Sequence, residues 1–142
     1  MAAELLGFSH LSLSCTDLDT SRDWWCRVFG FQVLEYPEGE SWREVILVHP
    51  RGVIVGFQQH DSNAGERFDP TRTGFDHVAF RVARRSDLDD WEARLDQLGV
   101  PYTPTIEKYY GAVLNVKDPD GIAIELFFRE GHPDPTRLAD LG

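Results

Sequence analysis

The feature that most constrains the fold of this chain is an internal repeat, in which landmarks of the first half recur in order in the second. The segment 7–11 reads GFSHL, and the segment 74–78, which begins 67 residues later, reads GFDHV. A second pair, Asp23-Trp24 and Asp90-Trp91, keeps the same offset of 67 residues. Because a fixed period is the signature of a duplicated unit, two modules of one kind are predicted.

The first module has the pattern of a strand, a helix and three further strands. Alternating residues predict the first strand at 8–14, and Thr16 or Asp17 is placed to cap a helix that runs to about Phe29 and ends at Gly30. The strands that follow are predicted at 32–36, 42–49 and 53–59.

The second module repeats this order. Ser86 and Asp89 resemble a capping box at the start of its helix. Leu88, Leu95 and Leu98 share one helical face with Trp91. We expect Trp91 and its repeat counterpart Trp24 to lie in equivalent core positions. The strands of this module are predicted at 78–83, 101–105, 112–117 and 122–128.

The chain of 142 residues is predicted to form a single domain. Its parts are assigned as module one at 5–60, an exposed connector at 61–73, module two at 74–128 and a loosely ordered tail at 129–142. The connector is rich in Asp, Ser, Asn, Gly and Pro, and such a composition is typical of loops.

Charge and the N-terminal sequence indicate which partners and which cellular compartment to expect. With 14 Lys and Arg against 24 Asp and Glu, the net charge of −10 repels phosphate backbones and anionic membranes, so neither nucleic acid nor a membrane is an expected partner. The N-terminus has neither the basic nor the long apolar stretch of a signal peptide, which favours a cytoplasmic protein. Cys15 and Cys26 fit no zinc spacing and are interpreted as small hydrophobic residues.

Strand alternation brings three residues of metal-binding types to equivalent faces of the two modules. Residues two apart on a strand share a face, so the aliphatic sets pack on the helices and leave His10, His77 and Glu125 on the opposite faces. A carboxylate in the apolar run 122–128 needs a proton, a charged partner or a cation. Two histidines and one carboxylate suit a divalent metal such as Zn, Fe(II), Mn or Ni, with open positions for a substrate.

A structural interpretation of the same residues stays open at this point. In it His10 and His77 are hydrogen-bonded strand residues, and Glu125 is an internal partner of Arg81 or Lys117. The repeat relation between the two histidines favours the metal interpretation, since it places both at the same point of their modules.

At these residues the sequence resembles the vicinal oxygen chelate superfamily, which includes glyoxalase I, extradiol dioxygenases, fosfomycin-resistance enzymes and bleomycin-resistance proteins. The resemblance implies an α+β fold of two tandem βαβββ modules that form an open, cup-shaped mixed sheet with helices on the outer face. It also implies a divalent metal held by His10, His77 and Glu125, a small-molecule substrate and a homodimer. The motifs that carry the resemblance are SHLSL at 9–13, DLD at 17–19, WW at 24–25, VFGF at 28–31, FDHVAF at 75–80 and DPDGIAIEL at 118–126.

The chain departs from the glyoxalase I pattern at the fourth ligand position. By the repeat, that position is Gly56, which has no side chain to offer, so room is expected beside the metal and Gln58 becomes a possible fourth ligand. A three-ligand site is what extradiol dioxygenases and fosfomycin-resistance transferases of the superfamily use. The side chains expected to line the substrate pocket are those of Trp25, Trp42, Glu44, Tyr109 and Tyr110.

Two functions are therefore predicted, and they belong to different classes. The first is a metal-dependent enzyme that chelates a small oxygen-rich metabolite or xenobiotic through two oxygens, with Glu125 also able to carry a proton. No motif selects among a lyase, an isomerase, a transferase and a dioxygenase. The alternative is a non-catalytic protein of the bleomycin-resistance type that sequesters an aromatic or antibiotic-like ligand.

Overall fold

The computed structural model describes residues 3–133, so residues 134–142 of the predicted tail lie outside the described residues. No helix within this range is long and apolar enough to cross a membrane. The elements in chain order are β1 (Leu11–Ser14), α1 (Leu18–Phe29), β2 (Gln32–Glu35), β3 (Trp42–Val48), β4 (Ile54–His60), β5 (Val78–Arg81), α2 (Ser86–Leu98), β6 (Tyr102–Lys108), β7 (Gly111–Lys117) and β8 (Ala123–Phe128).

The chain divides into two compact units. Unit one takes the described residues up to Phe68 together with the turn Asp118–Asp120, and unit two takes Asp69–Lys117 and the described residues from Gly121 onward. The segment 61–73 between the last strand of the first unit and the first strand of the second has no helix or strand and is mainly exposed. The module, connector and tail boundaries given above stay predictions.

Each unit has a four-stranded mixed sheet with one helix packed on it. The strand order is β1-β4-β3-β2 in unit one and β5-β8-β7-β6 in unit two. In both sheets the first pair is parallel and the other pairs are antiparallel. The predicted α+β class with two βαβββ modules is confirmed.

The repeat also holds at the level of strand register. In unit one Ser12 pairs with Gly56, and in unit two Ala79 pairs with Glu125. These pairs stand at the same point of their modules, so position 56 is the structural counterpart of Glu125. The face of each sheet that packs on its helix is buried, and its fully covered members are Val45, Leu47, Val55 and Phe57 in unit one and Ala112, Leu114 and Ile124 in unit two.

The two helices begin differently. Asp17 caps α1 by accepting a hydrogen bond from the backbone N–H of Thr20 at 2.7 Å, and Gly30 ends the helix in the left-handed conformation, as predicted. The predicted capping box of α2 is wrong, because Ser86 is already helical and the preceding Arg85 makes no side-chain cap. Asp87 instead accepts a hydrogen bond from the backbone N–H of Arg84 at 2.9 Å.

The buried tryptophan is Trp25 rather than Trp24 or Trp91. Trp24 and Trp91 are both half-buried, and Trp91 lies beside Arg94, whose guanidinium is 5.9 Å from the centre of its ring. Their predicted core positions are therefore wrong. The Asp-Trp pairs keep the repeat register, but the tryptophan in the core of unit one is Trp25, the residue after the first pair.

Candidate metal centre

Unit two brings His77 and Glu125 together. His77 stands just before β5 and Glu125 lies on β8, the strand that pairs with β5 in parallel. The Nε2 atom of His77 is 3.6 Å from Oε2 of Glu125, and 24% of the glutamate side chain is exposed. The structure thus gives Glu125 a histidine partner in place of the Arg81 or Lys117 considered from the sequence.

The other nitrogen of the His77 ring is held by its neighbour in the chain. Nδ1 lies 2.6 Å from Oδ1 of Asp76. When Nδ1–H donates to this carboxylate, Nε2 carries a lone pair that faces Glu125. Two electron-pair donors that approach in this way can share a cation, either a proton or a metal ion.

The distance between the two atoms is close to the separation of two ligands of one divalent metal. Two ligands at about 2.1 Å from a metal in tetrahedral or octahedral geometry are about 3.0–3.4 Å apart, and the observed 3.6 Å requires little movement to reach this. Metal-bound histidines almost always donate their second N–H to a carboxylate or carbonyl, and Asp76 is placed to accept such a bond from Nδ1 of His77. Among residues 3–133 no group of three His, Cys, Asp or Glu side chains is already gathered as a metal cluster.

His10 has the same local arrangement in unit one. It precedes β1 as His77 precedes β5, and its Nδ1 lies 2.9 Å from the hydroxyl of Ser9. Ser9 and Asp76 are equivalent positions of the repeat, so each module holds the Nδ1 atom of its histidine through the preceding residue. The offset of 67 residues carries this signal in the sequence, since Ser9 and Asp76 each precede a repeat-related histidine.

The space at Gly56 is filled by Glu44. Glu44 lies on β3, the neighbour of β4 on the side away from β1, and pairs with Gln58. A Cβ atom at Gly56 would overlap Oε1 of Glu44 and would lie 3.1 Å from the hydroxyl of Ser12. The room expected beside the metal is therefore absent, and that expectation is corrected: a carboxylate from the adjacent strand takes the place of the missing side chain.

Several predicted pocket residues share the face of Glu44. Gln58 lies directly opposite Glu44, and Trp42 lies opposite His60 at the end of the same strand pair. Trp42 and Glu44 are both half-buried and stand on one side of the sheet by strand alternation. The side chain that lies at the position of a Gly56 side chain is therefore that of Glu44, whereas Gln58 lies two residues further along β4.

In unit two an aromatic stack continues the face of Glu125. Phe127 is two residues further along β8, and its ring stacks on Tyr110 at 5.9 Å with 21° between the planes. Tyr109, by contrast, is fully exposed at the turn between β6 and β7 and contacts the edge of Tyr110. The structure brings Tyr110 onto Phe127, two residues from the predicted ligand Glu125, and leaves Tyr109 in solvent.

Trp25 does not line a pocket. It is 0% exposed and packs against Phe29, Phe31 and Phe57 in the core of unit one. Its indole N–H donates to the buried carboxylate of Asp118 at 3.2 Å. The prediction of Trp25 as a pocket residue is therefore wrong, because a side chain enclosed by three aromatic rings is unavailable to a ligand.

The turn Asp118–Asp120 has a structural role that the sequence did not reveal. Asp120 accepts hydrogen bonds from the backbone N–H and the hydroxyl of Thr16, at 3.1 and 2.5 Å. Asp118 accepts from Trp25 and from the backbone N–H of Asp120. Both carboxylates are buried, so this motif secures the base of α1 rather than serving only as a turn.

Comparisons with known proteins agree with this architecture. The family model of the Glyoxalase/Bleomycin resistance protein/Dioxygenase superfamily matches residues 7–126. This chain belongs to that superfamily. The match spans both modules, including the segments that carry His10, His77 and Glu125.

Individual proteins are also similar to this chain in sequence or in structure. A glyoxylase/bleomycin resistance protein/dioxygenase domain from Frankia sp. EAN1pec is 35% identical, with a TM-score of 0.83 over 89% of this chain and 100% of that chain. Metallothiol transferase FosB from Bacillus licheniformis is 28% identical over 87% of this chain and 75% of its own length. Biphenyl-2,3-diol 1,2-dioxygenase 2 from Rhodococcus globerulus is 27% identical, over 84% of this chain and 60% of its own length. The superfamily relatives therefore include enzymes of two reaction types.

Proposed function

We propose that the chain is a metal-dependent enzyme that acts on a small molecule with two neighbouring oxygen atoms. The observation that carries this proposal is the 3.6 Å approach of His77 Nε2 to Glu125 Oε2, together with the fixing of His77 Nδ1 by Asp76. We assign His77, Glu125 and His10 as the protein ligands of a divalent ion, which is Zn, Fe(II), Mn or Ni. The names of two relatives, a metallothiol transferase and a dioxygenase, support metal chemistry and a small substrate.

A divalent metal at these residues would polarise substrate oxygens and lower the pKa of a hydroxyl attached to it. Asp76 and Ser9 would keep the imidazole rings of His77 and His10 oriented, because in this proposal each accepts a hydrogen bond from Nδ1–H and leaves the Nε2 lone pair for the metal. Glu125 supplies the negative charge that a two-histidine set lacks.

Glu44 is proposed as a pocket residue that handles a substrate proton. Its carboxylate lies on the face of unit one that continues from His10 through Ser12, and it is half-buried rather than freely solvated. A carboxylate in this place accepts a hydrogen bond, and then a proton, from a substrate hydroxyl. On the face of unit two, Tyr110 and Phe127 offer an apolar surface beside Glu125 for the carbon part of the substrate.

A substrate screen with controlled metal content tests this proposal. The purified chain is stripped with a chelator, reloaded separately with Zn²⁺, Mn²⁺, Fe²⁺ or Ni²⁺, and assayed on catechols, thiol adducts of 2-oxoaldehydes, and epoxides supplied with a thiol. We expect turnover of one class that disappears on stripping and in the His77→Ala variant. The control His49→Ala removes an imidazole of unit one that packs on Phe31 and belongs to neither proposed site, and it should retain the activity.

The aromatic stack of Tyr110 and Phe127 favours a second candidate, a binding protein that sequesters an aromatic ligand without turnover. In that case an aromatic ligand binds with equal affinity to stripped and metal-loaded protein, and Tyr110→Ala weakens it while His77→Ala does not. The homodimer implied by the resemblance belongs to both candidates and is checked by sedimentation equilibrium.

A further inference from the structure

A cleft of about 630 Å³ opens at the end of β5 and β8, in unit two. Its walls combine the last residue of β5, the turn that leads into α2, and the segment that follows β8. The charged and ionisable side chains of its lining are Arg81, Arg84, Arg85, Arg129 and His132, with Glu130 as the one acidic member among the described residues.

This concentration of positive charge contrasts with the rest of the chain. The protein has a net charge of −10 and only 14 Lys and Arg in 142 residues, yet four of its arginines line one cleft. Arginine presents several N–H donors in a planar fork that fits carboxylate and phosphate oxygens. A basic cleft in an acidic protein therefore points to an anion as its occupant.

Two of the arginines are already neutralised and two are available. Arg84 is paired with Asp87, and Arg85 is paired with Glu107 and Asp89. Arg81 and Arg129 are exposed and have no ion pair within the part of the chain that the structure describes. The arginines of the lining whose charge is not paired are thus Arg81 and Arg129, and the lining also holds the carboxylate of Glu130.

The cleft adjoins the face that carries the proposed metal ligands of unit two. Arg81 pairs in register with Phe127, which is two residues beyond Glu125 on β8. His132 contacts the edge of the same Phe127 ring, at 5.9 Å between ring centres. His77 and Arg81 are four residues apart, so their Cα atoms are separated by about 13 Å along the extended chain.

We propose that this cleft is an anion-binding site, with Arg81 and Arg129 as its principal donors, and that it takes a carboxylate or phosphate group of a small molecule. If the proposed function is correct, this group is the distal end of a substrate or co-substrate whose oxygens lie at His77 and Glu125. The anion site itself does not depend on the metal proposal, because its donors belong to different residues.

Titration of the metal-stripped protein with inorganic phosphate, and separately with acetate, tests the site. The observable is the set of amide and arginine Nε–H chemical shifts in ¹H–¹⁵N spectra at constant ionic strength. We expect saturable shifts around Arg81 and Arg129, and an affinity about tenfold lower in Arg81→Gln and in Arg129→Gln, because each loses a charge-assisted hydrogen bond. The anion that binds more tightly identifies the preferred chemistry.

Arg51→Gln is the matched control. Arg51 is exposed in a turn of unit one and is remote from the cleft in sequence, and its substitution changes the net charge by the same amount. It should leave the anion affinity unchanged. Absence of saturable shifts with both anions would overturn the proposal, as would equal effects of Arg51→Gln, Arg81→Gln and Arg129→Gln, which would indicate only nonspecific charge screening. A wild-type protein that binds the anion but binds no divalent metal would contradict the metal proposal and leave the anion site standing.

Discussion

The carboxylate of Glu44 lies where a side chain at position 56 would begin, so Glu44 and Gly56 depend on each other. Gly56 is extended strand backbone with a hydroxyl on one side and this carboxylate on the other, and it is buried although it has no side chain of its own. The glycine provides the space that a neighbouring acidic residue fills. In unit two the counterpart position carries Glu125 itself, so each sheet has a carboxylate at this point but takes it from a different strand.

We predict that Gly56→Ala destabilises the protein by about 1–3 kcal/mol through overpacking against Glu44 and Ser12. In the Glu44→Ala background the same substitution should be less costly, because the carboxylate that it displaces is gone. Urea unfolding of the four proteins of this double-mutant cycle gives the coupling energy. Additive effects within about 0.3 kcal/mol would show that the two residues do not share this space.

Gly56→Glu, which the repeat suggests as a way to restore a fourth ligand, should instead fold less stably than Gly56→Ala. The new side chain competes with Glu44 for one position and brings two carboxylates together, and like charges at short range disfavour each other. Thermal unfolding at low and high salt checks this, since salt screens the repulsion and should reduce the difference between the two variants. An equal difference at both salt concentrations would argue against carboxylate repulsion.

Asp76→Ala is expected to weaken metal binding by about 10–100-fold while leaving the fold intact, because it frees the His77 ring to rotate and removes the acceptor of its Nδ1–H. Competition with a fluorescent chelator measures the affinity. Asp69→Ala, which removes another exposed carboxylate of unit two, is the control and should bind the metal as the wild type does. Equal affinities of Asp76→Ala and wild type would exclude an orienting role for Asp76.

Trp25→Ala should lower the free energy of unfolding by about 3–5 kcal/mol, whereas Trp24→Ala and Trp91→Ala should have clearly smaller effects. Trp25 is fully buried among aromatic rings, while the other two are half-buried. Trp25→Phe isolates the hydrogen bond to Asp118 and should cost about 1–3 kcal/mol. Urea denaturation followed by circular dichroism gives all four values, and a ranking with Trp24 or Trp91 first would contradict the structure.

The stability of the protein should fall as the pH rises from about 9 to about 11. Burial, and next the negative charge of Asp120, raise the pKa of the Cys15 thiol from 9.0 to about 11, so over this range the unfolded state loses the proton before the folded state does. The stabilisation is complete below pH 9 and is lost as the pH passes 11. In Cys15→Ala the decline should be shallower than in the wild type, and identical slopes would contradict the shifted pKa.

The sequence predicted the larger architecture because the repeat and the strand alternation report directly on chain geometry. Offset 67 located β1 and β5, and Gly30 and Gly99 end their helices as left-handed residues. The predictions that failed depend on neighbours distant in sequence. Whether Trp24 or Trp25 is buried is decided by the direction in which α1 packs on its sheet, and two adjacent tryptophans do not reveal this.

In the candidate site, too, some features were predictable from the sequence and others depend on residues distant in the chain. Parity was enough to put His77 and Glu125 on one face, and the structure places them within 3.6 Å. The filling of the Gly56 position required knowledge of β3–β4 pairing, since Glu44 and Gly56 become neighbours only when that register is known. Asp76 and Ser9 were visible in the repeat itself, but their role is apparent only from the bonds to the two Nδ1 atoms.

The most direct test of the central claim is the metal content of the protein, measured by mass spectrometry after expression in medium supplemented with Mn, Fe, Ni and Zn and gel filtration without chelator. We predict about one divalent ion per chain in the wild type and in His49→Ala, and a loss of more than tenfold in His77→Ala and in Glu125→Ala. A wild type with as little metal as His77→Ala, or a His77→Ala variant with as much metal as the wild type, would contradict the assignment of His77 and Glu125 as metal ligands.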